Sequence, residues 1–80
     1  MTHILKILSK FADSILIGFN TFEIRENGRQ FRSGDYIRFQ AVGDDGHPIT
    51  HTINDKDYKI TYVLKCPKKD YVVLKIEEGY

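Results

Sequence analysis

Cysteine is nearly missing from this sequence, tryptophan is absent, and neither sign of charge prevails. The one cysteine, Cys66, has no partner for an internal disulfide or a metal knuckle, which excludes a disulfide scaffold and a zinc ribbon. A single thiol in so small a domain points to a reducing compartment, so a cytoplasmic location is expected. Twelve Lys and Arg stand against eleven Asp and Glu, a formal charge of +1. That balance excludes a histone-like polycation but leaves room for a local basic patch, which is what nucleic-acid binding requires. No apolar run approaches the ~18 residues of a membrane span. The N-terminal stretch is interrupted by Lys6, Lys10 and Asp13, and it lacks the basic n-region and small-x-small cleavage site of a signal peptide. A folded, non-membrane protein is expected.

The 80 residues suit one domain, 1–80, since natural domains run from ~50 to ~250 residues. At this size folding buries only roughly 60–65% of the unfolded chain's surface, so the core is thin.

Hydrophobic periodicity predicts one helix and about six short strands. His3–Leu8 has apolar residues on both faces and is expected as a central strand. Ser9 is a candidate N-cap for a helix over Lys10–Ile17, with Phe11 and Ile15 at i, i+4. Gly18 stands where a helix C-terminus favours a left-handed residue. Thr21–Arg25 alternates, Phe22 and Ile24 on one face, Thr21, Glu23 and Arg25 on the other. Asn27-Gly28 and Gly34-Asp35 are turn dipeptides. Tyr36–Val42 is the clearest strand, with Ile37, Phe39 and Ala41 core-facing and Tyr36, Arg38 and Gln40 opposite. Ile49, His51 and Ile53 alternate with Thr50 and Thr52, and strands Tyr58–Lys65 and Tyr71–Glu77 follow. The class is mainly β (α+β), and turns every 7–12 residues favour a closed or nearly closed barrel, which removes exposed edges.

The arginines carry the sharpest asymmetry. Arg25, Arg29, Arg32 and Arg38 fall in one segment, and all eight lysines lie elsewhere. Arginine offers a rigid fork that grips phosphate or carboxylate and stacks on bases, whereas lysine is a solvated point charge. With Phe31 and Tyr36 interleaved, the segment suits a surface that holds phosphates and stacks a base. Surface ion pairing with Glu26, Asp35 and neighbouring carboxylates is the plainer alternative. Glu23 and Arg25 share one strand face, roughly 7 Å apart, so together they can read a base edge and a phosphate, or form only a salt bridge. His47 and His51 are four apart but not on a helix, so no HExxH-like zinc site follows, and His51 is expected half-buried and hydrogen-bonded. Asn54–Asp57 lacks the glycine and distal glutamate of an EF-hand. No metal and no cofactor are expected.

Gly18-Phe19-Asn20-Thr21-Phe22-Glu23-Ile24-Arg25 resembles the GxKxxExR motif of ASCH domains, a branch of the PUA-like superfamily. His3-Ile4-Leu5-Lys6, Phe11, Arg29, Phe31, Gly34-Asp35 and Tyr71-Val72-Val73-Leu74 extend the resemblance over nearly the whole chain, toward a branch of short bacterial and phage proteins. It implies a small PUA-like β-barrel of about six strands with one short helix between the first two. It also implies a cleft beside the motif and a role in binding RNA or nucleotides. Gly18, Glu23 and Arg25 match the motif; Asn20 stands where it has lysine. Some small ASCH-like proteins hydrolyse acetylated cytidine and use that lysine. An amide neither titrates nor carries charge, so Asn20 cannot replace it as a base.

The leading expectation is a monomeric module that binds single-stranded RNA, a nucleotide or a modified nucleoside. Its candidate contacts are Lys6, Asn20, Thr21, Glu23, Arg25, Arg29, Arg32, Tyr36 and Arg38. A hydrolase of acylated nucleosides is the first alternative, with Glu23 as general base and Asn20 as hydrogen-bond donor. A regulatory module with a protein partner is the second. A near-neutral charge favours a small ligand or short single strand over long duplex RNA.

Overall fold

The computed structural model describes residues 1–26, 30–67 and 69–79. The chain runs β1 (Thr2–Leu8), α1 (Ser9–Leu16), β2 (Phe22–Glu26), β3 (Tyr36–Val42), a 3-10 turn (Thr52–Asp55), β4 (Asp57–Lys65) and β5 (Tyr71–Gly79). It is a mixed α+β domain with one helix between the first two strands. The five strands form one sheet in the order β1-β3-β4-β5-β2. β1 runs parallel to β3, and the other neighbours are antiparallel. The sheet curls until its edges, β1 and β2, face each other across a seam, giving a near-barrel. The Asn27-Gly28 turn and Arg29 lie outside the described residues.

The core gathers Leu5 and Ile7 from β1, Ile37, Phe39 and Ala41 from β3, Tyr58 and Ile60 from β4, and Val72, Leu74 and Ile76 from β5. Period-2 alternation therefore placed the β3 face correctly. Helix α1 packs on the curled sheet by burying Ala12 and Ile15. Ser9 is its first residue and Leu8 the N-cap, with no capping side chain, so Ser9 is not the cap that its residue type suggested. The C-terminus matches expectation. Gly18 has φ +76°, and the N–H groups of Phe19 and Gly18 donate to the carbonyls of Ser14 and Ile15 at 3.1 and 3.0 Å. That pattern is a Schellman cap, which satisfies carbonyls the helix leaves over.

Two expectations are corrected. β1 is an edge strand, not a central one, since it pairs only with β3, and the apolar outer face that suggested a central place is not covered: Ile4 is 63% exposed. The alternation Ile49–Ile53 does not make a sixth strand. His51 instead caps the 3-10 turn, its Nδ1 accepting the Ile53 N–H at 3.1 Å while Nε2 lies 2.7 Å from Asp13 Oδ1 on α1. A neutral His51 therefore carries its proton on Nε2 and donates it to Asp13. Ile53 fills the core from the turn. On β2 the alternation holds, with Phe22 and Ile24 pointing outward, 51% and 66% exposed, and Glu23 and Arg25 pointing into the seam.

A bulge in β4 between Ile60 and Tyr62 has a related effect. One extra residue flips the remaining side chains, so Val63 packs against the core while Tyr62 and Leu64 are 58% and 51% exposed. Across β4, β5 and β2 the outward residues align as Leu64, Val73, Ile24 and as Tyr62, Lys75, Phe22.

Candidate functional site at the sheet seam

The seam is where the sheet stops being paired, and the residues of β2 that point into it are polar. Glu23 pairs in register with Leu74 and Arg25 with Val72, both core residues. The two side chains are thus drawn toward the interior by their partners' facing. Their side chains are 12% and 27% exposed. Arg25 Nε donates to Glu23 Oε2 at 2.7 Å, and Nη2 lies 2.5 Å from the same oxygen. Nη2 also donates to the Lys6 carbonyl of β1 at 2.6 Å. One guanidinium thus holds a carboxylate on its own strand and the backbone of the opposite edge, stapling the seam.

Desolvation holds the Glu23 carboxyl above its ordinary range, and the Arg25 charge and hydrogen bond pull it back only in part. A carboxylate that is partly dehydrated yet held by a cation is a strong, oriented acceptor. Both Arg25 contacts converge on Oε2; among the described residues no donor reaches Oε1.

Two hollows flank this pair. The larger, about 850 Å³, includes Ile4, Lys6, Ile24, Arg25, Phe31 and Tyr71 in its lining. The smaller, about 450 Å³, includes Phe11, Asn20, Phe22, Glu23 and Arg25. Phe11 reaches it because the helix buries Ala12 and Ile15 instead, leaving the ring half exposed under Lys10 Nζ, 5.4 Å from its centroid. Asn20 also serves the fold: its Oδ1 accepts the Phe22 N–H at 3.2 Å, an Asx turn that launches β2. Its acceptor is thereby committed to the backbone, and among the described residues no hydrogen bond is made by its Nδ2.

Lys6, Asn20, Glu23 and Arg25 therefore come together. Thr21 does not join them; it faces a separate hollow with Gly18 and Ile15. Tyr36 and Arg38 line neither seam hollow. Arg38 Nε donates to Asp57 at 2.9 Å in an exposed pair, the plain ion pairing that was the alternative for this segment. Arg32 lies in a fourth hollow with Gln30, Phe31 and Lys65. His3 does not converge on the motif. It is buried at the other end of β1, Nε2 2.9 Å from Asp35 Oδ2 and its ring 4.7 Å from that of Phe31. Phe31 is thereby mostly a core residue, 5% exposed. The wall residues Ile4, Phe11, Phe22, Ile24 and Tyr71 were missed as site residues because apolar alternation assigns such side chains to the core. An exposed Phe22 beside an inward Glu23 has no signature in a single sequence.

A model of a family described as a domain of unknown function (DUF3850) matches residues 2–76. The crystal structure of the hypothetical protein PH0355 is similar at a TM-score of 0.67 and 14% identity, over 99% of this chain and 100% of that one. Comparison with curated proteins finds no match.

Proposed function

The chain belongs to the DUF3850 family, and we propose, from the geometry of the seam, that it is a binding module for a nucleobase-bearing ligand, a nucleotide or short single-stranded RNA, held along the β1–β2 seam. The observation that carries this reading is the half-buried Glu23–Arg25 pair at the junction of two hollows with aromatic walls. Glu23 supplies an acceptor for an exocyclic amino group such as that of cytosine. The Nη1 donors of Arg25, outside the described contacts, can serve an adjoining ring nitrogen or carbonyl. Phe11, Phe22 and Tyr71 offer faces or edges for stacking, which is worth ~1–3 kcal/mol per base. In this reading the near-barrel is an ASCH-like member of the PUA-like barrels, supported by the helix between the first two strands and by the motif's position at the seam.

The staple alters one expectation. The Nε–Nη2 side of Arg25 is already committed to Glu23 and Lys6, so Arg25 contributes single donors to a ligand rather than a free bidentate fork.

Amide chemical shifts test the proposal, with cytidine and a short oligocytidine as probes. Saturable shifts at residues 4–8 and 20–26 are expected. If millimolar cytidine and oligocytidine leave those amides unmoved, the reading is abandoned. The protein-partner reading then takes its place, favoured by the outward Phe22, Ile24, Tyr62, Leu64 and Tyr71 on one sheet face.

A further inference from the structure

The hollow next to the seam holds a feature the base-reading site does not use. Gln30, Phe31, Arg32 and Lys65 line a concavity of about 390 Å³, and Phe31 also lines the larger seam hollow. The two spaces thus share a wall. Lys65 comes from the far end of β4, in register with the core residue Val72, so its stem leans inward at the barrel mouth. Arg32 approaches from the segment leading into the Gly34 turn. Among the described residues neither cation has a hydrogen bond or ion pair for its side chain. Arg25, Arg38 and Lys56 are all paired with carboxylates.

Two cations that share a hollow without an acidic partner repel one another until an anion sits between them. A guanidinium and an ammonium together suit a phosphate, the fork fixing orientation and the ammonium adding charge. We propose that Arg32 and Lys65 form a phosphate subsite for the ligand whose base lies in the seam, so that the module takes phosphorylated nucleosides or RNA in preference to free nucleosides. This rests on the base reading above. The phosphate continues from the seam past Phe31. No covalent step is involved.

Calorimetry with cytidine, cytidine 5′-monophosphate and the dinucleotide CpC, joined by a shift titration with inorganic phosphate, tests it. A phosphate held by two charged groups should bind the monophosphate about tenfold tighter than cytidine. CpC places a diester in the same subsite and separates an RNA strand from a free nucleotide by which of the two gains more. In Arg32→Gln/Lys65→Gln the advantage should vanish while cytidine affinity stays. Both side chains are exposed, so the variant should fold. Equal binding of cytidine and monophosphate, or an advantage that survives in the double variant, would overturn the proposal. The inorganic phosphate titration separates the two ideas. Shifts at Gln30–Arg32 and Lys65 without any cytidine response at the seam would keep the anion subsite and discard the base site. A cytidine response at the seam, with those amides unmoved by phosphate and by the monophosphate, would discard the subsite and keep the base site.

Discussion

Glu23 and Asp35 are carboxylates of similar exposure whose surroundings push them in opposite directions. Asp35 receives a hydrogen bond from His3 and lies near the N-terminal amine, and these hold its carboxyl below the ordinary range. Its contribution to stability is therefore full above the unfolded value of ~3.9 and is lost as pH falls through the lower folded value. Glu23 is raised by burial, so its linkage has the other sign: relative stability is greatest below the unfolded value of ~4.3 and declines as pH rises through the folded one. Asp35→Asn should cost about 1 kcal/mol near neutrality, a weakened charge-assisted bond, and its deficit should close in strong acid. Glu23→Gln should gain on the parent protein as pH rises from 4 to 7. Thermal melts from strong acid up to pH 7 check both, and a profile parallel to the parent's below pH 4 for Asp35→Asn, or between pH 4 and 7 for Glu23→Gln, would contradict the assignment. Asn20 carries a third expectation at this scale. With its acceptor committed to the Phe22 N–H and no titratable group in its place, hydrolysis of N-acetylcytidine should be negligible. Chromatography showing turnover above ~1 s⁻¹, ordinary for an enzyme, would restore the hydrolase reading.

At the scale of elements, the seam depends on one side chain. Arg25→Lys keeps the charge but cannot span both Glu23 and the Lys6 carbonyl, and should cost ~1–2 kcal/mol. Hydrogen exchange should report the loss locally, with β1 and β2 amides deprotected ahead of those of β4 and β5. Uniform deprotection would mean that the staple does not close the barrel. The turn before β3 gives a cleaner test. Gly34 has φ +97° and open space where a Cβ would stand, with the Asp35 N–H donating to the Arg32 carbonyl at 3.0 Å. Gly34→Val should therefore cost only the left-handed penalty of ~1–2 kcal/mol, read from the denaturation midpoint. Both glycines were legible in sequence, as were the helix and the Ile37–Phe39–Ala41 face, because each follows from local chemistry: φ freedom, 3.6-residue periodicity, two-residue alternation. The facing of β2, the edge position of β1 and the outward Tyr62 and Leu64 were not. A bulge in β4 and the curl that brings β1 opposite β2 are tertiary facts, and a strand with apolar residues on alternate positions reads the same whether that face meets a core or a groove. The same limit hid Lys65, which is 33 positions from Arg32 in the chain and meets it only at the barrel mouth.

Over the whole molecule, charge is arranged so that little long-range attraction exists. The net charge is +1, and several cations that might have formed a stripe are consumed internally: Arg25 by Glu23, Arg38 by Asp57, Lys56 by Glu78. Among the described residues, what remains near the seam is local, chiefly Arg32 and Lys65 in one hollow with Lys6 nearby. Binding of a single strand should accordingly depend weakly on salt. Each phosphate contact on a single strand contributes about −0.7 to the slope of log K against log salt, so two contacts give a slope near −1.4. Removing Arg32 or Lys65 should each reduce the slope by ~0.7, whereas Arg38→Gln, which breaks only an exposed ion pair, should leave it unchanged. Fluorescence anisotropy with a labelled oligocytidine between 50 and 200 mM salt measures this directly. A slope steeper than about −3 would require four or more phosphate contacts. The ligand would then run over a broader basic surface than the seam and its neighbouring hollow provide, and the β1–β2 groove would no longer define the site.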